Sequence, residues 1–239
     1  MNVAVIGCGA WGTALSLQLH KNGHKVYLWG HDEQLAEQMR QLGESPMLKG
    51  VKIPEGIVPT GDDTCVQNCQ LIIFVSASVF MESVCRRVAP YIPADAVLVS
   101  ATKGIDYPGL KRMTQIIEEI TGKTAVALSG PSHAEEVALN IPTGLLAASP
   151  NKQLAEFVQD AFMSDTLRVY TSPDVVGAEL GGALKNVIAL CAGVSDGMGC
   201  GDNTKALLIT RAVAEMSRLA VKLGGRNETL AGLAGLGDL

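Results

Sequence analysis

The sequence predicts a doubly wound α/β fold, a parallel sheet with helices on both faces, leading into an all-helical second part. Three observations predict it. Short apolar runs alternate with amphipathic helical stretches from Val3 to Ala148. A glycine turn, Gly7-Cys8-Gly9-Ala10-Trp11-Gly12, joins the first run to the first helical stretch. From Val175 onward the pattern is helical alone. At 239 residues the chain has room for one large or two small domains. The expected division is 1–170 for the α/β domain and 171–239 for the start of the helical one.

The elements follow in order. Val3–Ile6 is a β-like run, Thr13–His20 is rich in helix formers, Gly23 offers a stop, and Lys25–Trp29 is a second β-like run. In the turn between the first strand and helix, Gly7 permits the tight bend and Gly9 lets the backbone approach a pyrophosphate. Gly12 lets the helix pack closely on the strand, and the helix N-terminus points unpaired N–H groups at the anion. A lone G-x-G-x-x-G is weak, but one that follows a strand and opens a helix reads as a dinucleotide site of Rossmann type. At the end of the second run stand Gly30-His31-Asp32. A carboxylate here suits NAD and a cation suits NADP, so Asp32 and His31 point opposite ways; Asp32 equally suits an N-cap. His20 and His24 have helical metal-pair spacing, but Gly23 between them ends the helix, and no metal site is expected.

Leu42–Asp63 lacks a period and reads as an excursion with a small element of its own. Leu71–Val75 is a buried-strand run followed by a helical pattern through Val79, Met81, Val84 and Val88. Ala96–Ala101, Thr124–Leu128 and Gly144–Ala148 are further strands. Leu110–Ile120 is helical, with Met113, Ile116 and Ile117 on one face. Ligands of such sheets sit beyond the carboxyl ends of the strands. This singles out Ser76-Ala77-Ser78, Thr102-Lys103-Gly104 and Ser129-Gly130-Pro131-Ser132, with Lys103 a cation at the ligand edge.

In the helical part, Val176, Leu180, Ala183, Leu184, Val187, Ile188 and Cys191 keep helical spacing, and Lys185 sits among them. A lysine there either snorkels or is placed for chemistry. Burial near a second cation such as Lys103 lowers a lysine's pKa toward what acid/base work at neutral pH requires. A glycine-rich turn, Ser195–Asp202, leads to a second helix, Leu207–Leu223, with Glu215 and Arg218 three apart.

Composition excludes several classes. Apolar residues at 47% against 18% charged exclude disorder, and no apolar run is read as a membrane span. A formal charge of -5 and 4% aromatics speak against a nucleic-acid partner. No basic residue precedes Lys21 and the six cysteines form no C-x-x-C pair, so a cytoplasmic protein with reduced, packed thiols is expected.

The strings IGCGAWGTAL, LWGHD, ATKG, LSGPSHAEEV, GGALKNVIA and AGLGDL, in this order from Asn2 to Leu239, resemble the bacterial NAD(P)-dependent sn-glycerol-3-phosphate dehydrogenase family. The resemblance implies reversible hydride transfer between NADH or NADPH and dihydroxyacetone phosphate, giving sn-glycerol 3-phosphate for phospholipid synthesis. It implies Lys185 as proton donor and acceptor, Lys103 as the substrate-contacting lysine beside the cofactor, and Asp238 as the carboxylate near both. Gly130 and Ser132 match substrate contacts; Ala10, Trp11, His31 and Ala134 match cofactor positions beside Gly7, Gly9, Gly12 and Lys103. Ala10 stands where the family often has Ser, and Ser76-Ala77-Ser78 where it often has Pro.

Family chains continue past GLGDL with a segment whose arginine grips the substrate phosphate. The resemblance therefore implies a shortened form that keeps the dinucleotide fold and loses substrate affinity, and a homodimer when complete. Two other readings stand beside it: a dinucleotide-binding fragment without turnover, and a two-domain dehydrogenase for another hydroxyl substrate.

Overall fold

The computed structural model describes residues 1–239. The first β-α-β unit is β1 (Asn2–Ile6), α1 (Ala10–Lys21) and β2 (Lys25–Trp29), followed by α2 (Glu33–Leu42). The aperiodic stretch then forms β3 (Glu44–Ser45) and β4 (Leu48–Lys52), an antiparallel pair, and β5 (Ile57–Thr60). The small element was expected; β5 was not. It pairs in parallel with β2 and forms one edge of the sheet, the position where Pro59 costs no ladder bond in the interior.

The alternation continues with β6 (Leu71–Phe74), α3 (Met81–Val88), β7 (Val97–Ser100), α4 (Met113–Thr121), β8 (Ala125–Ser129), α5 (Ala134–Ala138), β9 (Thr143–Ala148), α6 (Lys152–Phe162) and β10 (Leu167–Ser172). Eight strands join in the order β10-β9-β8-β7-β6-β1-β2-β5. All pairings are parallel except β8 with β9, so the purely parallel sheet of the sequence reading needs that correction. The connection from β8 to β9 carries only the five-residue α5, which does not make a full crossover. β10 escaped notice because it alternates: Leu167 and Val169 are buried while Arg168 and Tyr170 are exposed, as an edge strand requires. The expected domain boundary at 170 falls inside this strand, which runs to Ser172.

Both sheet faces are buried, which is why the strands read as continuous apolar runs. Val3 and Val5 face α1 and α6, packing with Leu15, Leu19, Val158 and Phe162. Ala4 and Ile6 face the other way, toward Met81, Cys85, Ile116 and Ile117 of α3 and α4. Two expected helix starts shift. Val79 lies in a 3₁₀ turn and is exposed, so α3 begins at Met81. Leu110 is exposed with φ 53, and α4 begins at Met113, where the Gln115 side chain accepts from Arg112 N at 2.9 Å.

The helical part comprises α7 (Val175–Gly197), α8 (Asp202–Lys222) and α9 (Asn227–Leu230), with residues 231–239 folded back over α7. Leu180 and Ile188 of α7 pack with Met216, Ala220 and Leu230. Val187 and Cys191, placed on the apolar face by spacing, are exposed instead. The Glu215–Arg218 pair makes no ion pair; Lys205 and Asp196 join α8 to α7 at 2.6 Å. One segment departs from the membrane reading. The 23-residue α7 is long and apolar enough to span, with mean hydropathy 1.5 over 18 residues, yet Ala178, Leu180 and Ile188 use that apolarity against protein.

Candidate active site

The site lies along the carboxyl edge of the sheet, where α7 and the 231–239 segment close over it. At the β1–α1 turn, Gly7 has φ +134, and a Cβ there would sit 2.9 Å from the Val75 carbonyl carbon and oxygen. A Cβ on Gly12 would lie 1.8 Å from the Gly7 carbonyl oxygen, so helix and strand touch through it. A Cβ on Gly9 would meet nothing within 4 Å: its open side faces free space. Gly9 is also the N-cap of α1, with no side-chain cap and no acidic residue in the first turn. Free N–H groups, open space and no competing carboxylate are what a pyrophosphate requires, so these residues fit a dinucleotide.

Two cavities flank this turn. One, of about 590 Å³, is lined by Gly7, Gly9, His31, Phe80, Val84 and Arg87 among others. The second, about 380 Å³, is lined by Ala10, Trp11, Thr102, Lys103, Ser132, His133 and Ala134. Val75, Ser76 and Ala77 line both, so the two share a wall formed by the loop after β6. A larger concavity of about 690 Å³ opens on α8 and α9 among Thr210, Arg218 and Asn227, away from these loops, and no chemistry converges there. Asp32 does not line either of the two flanking cavities. It caps α2, its Oδ1 accepting from Gln34 N at 2.8 Å. Of the two roles left open for it, the structure displays the cap.

The charged centre is a bridge. Asp238 has a side chain only 2% exposed, and its Oδ1 accepts from Lys185 Nζ at 2.6 Å and from Lys103 Nζ at 2.9 Å. Its Oδ2 lies 2.7 Å from Lys103 Nζ. Lys185 also donates to the Asp238 carbonyl at 3.0 Å, and Lys103 to the Gly130 carbonyl at 3.1 Å, with Ser132 Oγ at 3.5 Å. Lys185 therefore does not snorkel outward: it turns inward to a carboxylate. Two ammonium groups against one carboxylate leave one net positive charge, which favours an anionic ligand. Burial holds the Lys103 pKa below the usual lysine range; Asp238 pulls it up and Lys185 presses it further down.

The glycines of α7 let this bridge form. A Cβ on Gly182 would lie 2.9 Å from Ser129 Oγ and 3.4 Å from Lys103 Cγ. On Gly181 it would lie 2.1 Å from the Ala234 carbonyl oxygen, blocking the segment that carries Asp238. A second tie holds α7 to the sheet domain. Buried Glu179 accepts from Arg112 Nη1 at 2.6 Å, Thr114 N at 2.8 Å and Thr114 Oγ1 at 2.6 Å. Desolvation raises its pKa, against the pull of Thr114 and Arg112.

The structure thus brings Lys103, Lys185, Asp238, Gly130 and Ser132 together, with Ala10, Trp11 and Ala134 on the adjoining wall and His31 on the cavity beyond. Sequence reasoning passed over His133, which lines the second cavity with Thr102 of the singled-out Thr102-Lys103-Gly104 loop. His133 stands inside the quoted SGPSHAEE string, and Thr102 Oγ1 donates to the Ser76 carbonyl at 2.8 Å, fixing the shared wall. It also passed over Arg87 and the Arg112–Glu179 tie, neither of which has a local signal. His24, set aside as a metal ligand, has Nε2 3.2 Å from the Ala161 carbonyl.

Comparison with known proteins agrees along the whole chain. Residues 2–155 match the family described as NAD-dependent glycerol-3-phosphate dehydrogenase N-terminus, and residues 174–239 match the corresponding C-terminus. The chain is 46% identical over 243 residues to a glycerol-3-phosphate dehydrogenase [NAD(P)+] of Bacillus velezensis, covering 99% of this chain and 70% of that protein. It is 48% identical to the protein of the same description from Pelotomaculum thermopropionicum, again covering 99% and 70%. The crystal structure of glycerol-3-phosphate dehydrogenase from Coxiella burnetii superposes with a TM-score of 0.96 at 36% identity, over 100% of this chain and 74% of that one.

Proposed function

Since the chain belongs to the NAD-dependent glycerol-3-phosphate dehydrogenase family, we propose that its bridge of two lysines and one carboxylate is where substrate is held and protonated. It is an NAD(P)-dependent oxidoreductase that interconverts dihydroxyacetone phosphate and sn-glycerol 3-phosphate, a phospholipid precursor. The nicotinamide, when bound, supplies hydride to the ketone carbon or takes it back. Gly7, Gly9 and Gly12 make room for the pyrophosphate, while Ala10, Trp11, Lys103 and Ala134 wall the nicotinamide end and His31 the adenosine end.

Lys185 holds a proton on Nζ and gives it to the ketone oxygen as the carbonyl is reduced; in the reverse direction it takes the hydroxyl proton. Asp238 holds and aims that ammonium from 2.6 Å. Lys103, with Gly130 and Ser132 beside it, binds the substrate's polar end and supplies a second positive charge to the oxygen as it becomes anionic. The observation that carries this reading is Asp238 contacting both lysines, one of which, Lys103, lines the second cavity. The test is NADH and NADPH oxidation with dihydroxyacetone phosphate, beside dihydroxyacetone. Oxidation dependent on the phosphorylated ketone supports the reading; cofactor binding with no oxidation selects a binding module.

Two further parts of the reading concern setting. All six cysteines are free thiols, which suits a reducing, cytoplasmic location. The exposed apolar row Val187, Leu190 and Val194 on α7, with Met198 just past its end and Leu207 on α8, supports a homodimer. Light scattering reads that state directly.

A further inference from the structure

The two lysines of the bridge come from different regions: Lys103 from the loop after β7, Lys185 from α7. Asp238 joins them on one side. A second carboxylate, Glu179, joins the same loop to the same helix, yet it lines neither of the two flanking cavities and touches neither lysine. The loop is closed on itself. Ile105, two residues after Lys103, forms an antiparallel bridge with Arg112. Within it, Asp106 N donates to the Lys111 carbonyl at 2.9 Å and Leu110 N to the Asp106 carbonyl at 3.0 Å. Whatever holds Arg112 therefore holds the strand-end turn that carries Lys103.

Glu179 does the holding. Arg112 stands at the N-cap of α4, and its side chain has no acceptor with which to cap that helix. Glu179 supplies one from α7: its Oε1 accepts from Thr114 N at 2.8 Å, at a helix N-terminus that favours negative charge. Its Oε2 accepts from Arg112 Nη1 and from Thr114 Oγ1, both at 2.6 Å, and Arg112 Nη1 also donates to Thr114 Oγ1 at 2.9 Å. Each of the three side chains thus contacts the other two. The Glu179 side chain is 5% exposed and that of Arg112 20%, so water competes little for these bonds. Ile105 adds an apolar hold, packing against the cluster that contains Leu180 and Ile188 of α7. Glu179 and Lys185 are six residues apart on one helix, about 9 Å along its axis. Fixing the first on the Lys103 loop fixes the backbone from which the second extends.

We infer that Glu179, acting through Arg112 and Thr114, is a positioning residue that sets the spacing between Lys103 and Lys185. The inference rests on the role proposed above for the two lysines. The test is Glu179→Gln, which keeps the volume and removes the charge. One readout is kcat/KM for dihydroxyacetone phosphate beside cofactor titration. The other is the titration of Lys103, followed by NMR of isotope-labelled lysine side chains and assigned with Lys103→Arg. In Glu179→Gln, kcat/KM falls by about tenfold to a hundredfold, the worth of a misplacement on the order of 1 Å, with cofactor affinity unchanged. Because burial is what holds the Lys103 pKa down, a loop freed from α7 lets it rise toward the ordinary lysine range. A residue that only adds stability would move neither readout in the folded protein, so either one unmoved in folded Glu179→Gln overturns the inference. If that variant does not fold, Thr114→Val decides by the same two readouts: it removes one of the three donors to the carboxylate and gives smaller shifts, which Thr114→Ser reverses. Absence of turnover in the wild-type chain strikes the proposed activity instead, and the Lys103 titration then decides the placement alone.

Discussion

The sheet domain and the helical part are held together by different means, and the active site lies where the two meet. In the sheet domain both faces of every central strand are buried in wide apolar layers, so the cofactor turn rests on a core that needs no help. The helical part has a small core around Leu180, Ile188, Met216, Ala220 and Leu230, and leaves Val187, Leu190, Val194 and Met198 exposed. Its position on the sheet depends on a few specific contacts: Glu179 on Arg112 and Thr114, glycines under Ala234 and Lys103, and Asp238 between two lysines. In the proposed function, binding chemistry thus sits on the robust region, and proton chemistry is delivered by the region that is easier to displace.

Cutting the tie between the regions gives the largest expected effect on stability. Glu179→Ala leaves Arg112 charged without its partner and should cost about 3–5 kcal/mol. Hydrogen exchange should show the loss within 175–239, with the sheet domain protected as before; uniform loss across both regions would contradict the comparison. Next comes Gly181→Val. Its side chain would press on the Ala234 carbonyl and lift the Asp238 segment, costing about 1–3 kcal/mol by overpacking. Turnover should fall more than cofactor affinity, as kinetics beside fluorescence titration would show.

The pH response sharpens the comparison from the electrostatic side. With its pKa held below the usual lysine range, Lys103 loses its proton earlier than a free lysine as pH rises. Asp238 then keeps one cationic partner of two, so substrate KM should climb on the alkaline side. Because the unfolded chain keeps that proton longer, this group's contribution to stability rises with pH over the same window. Lys103→Arg should move the alkaline limb of the KM profile upward; an unmoved limb would assign it to another group. The smallest effect belongs to the outside of the sheet domain. Glu82→Gln breaks an exposed pair with Arg86 at 2.8 Å and should change stability by no more than about 0.5 kcal/mol in denaturant melts.

What could be seen in the chain follows the same division. The β1–α1 turn was legible because strand, glycines and helix are contiguous, and Lys103 because it sits at a strand end. β5 and β10 were not, since edge strands carry half the apolar signal, and β5 includes Pro59. Lys185 was visible as a lysine in an apolar helix, but its inward turn depends on Asp238, 53 residues further along. Asp238 itself was reached by resemblance alone, because no period marks it. The Arg112–Glu179 tie joins residues 67 apart and leaves no pattern in either neighbourhood.

The central claim is that the helical part contributes the proton donor and the sheet domain the cofactor site. Lys185→Met tests it most directly, with oxidation of NADH and NADPH by dihydroxyacetone phosphate followed beside cofactor titration in the same preparation. The account predicts turnover reduced by about 10²–10⁴-fold, the usual worth of a positioned general acid, with cofactor affinity unchanged. Turnover kept in Lys185→Met, or cofactor affinity lost in parallel with it, would contradict the division of labour.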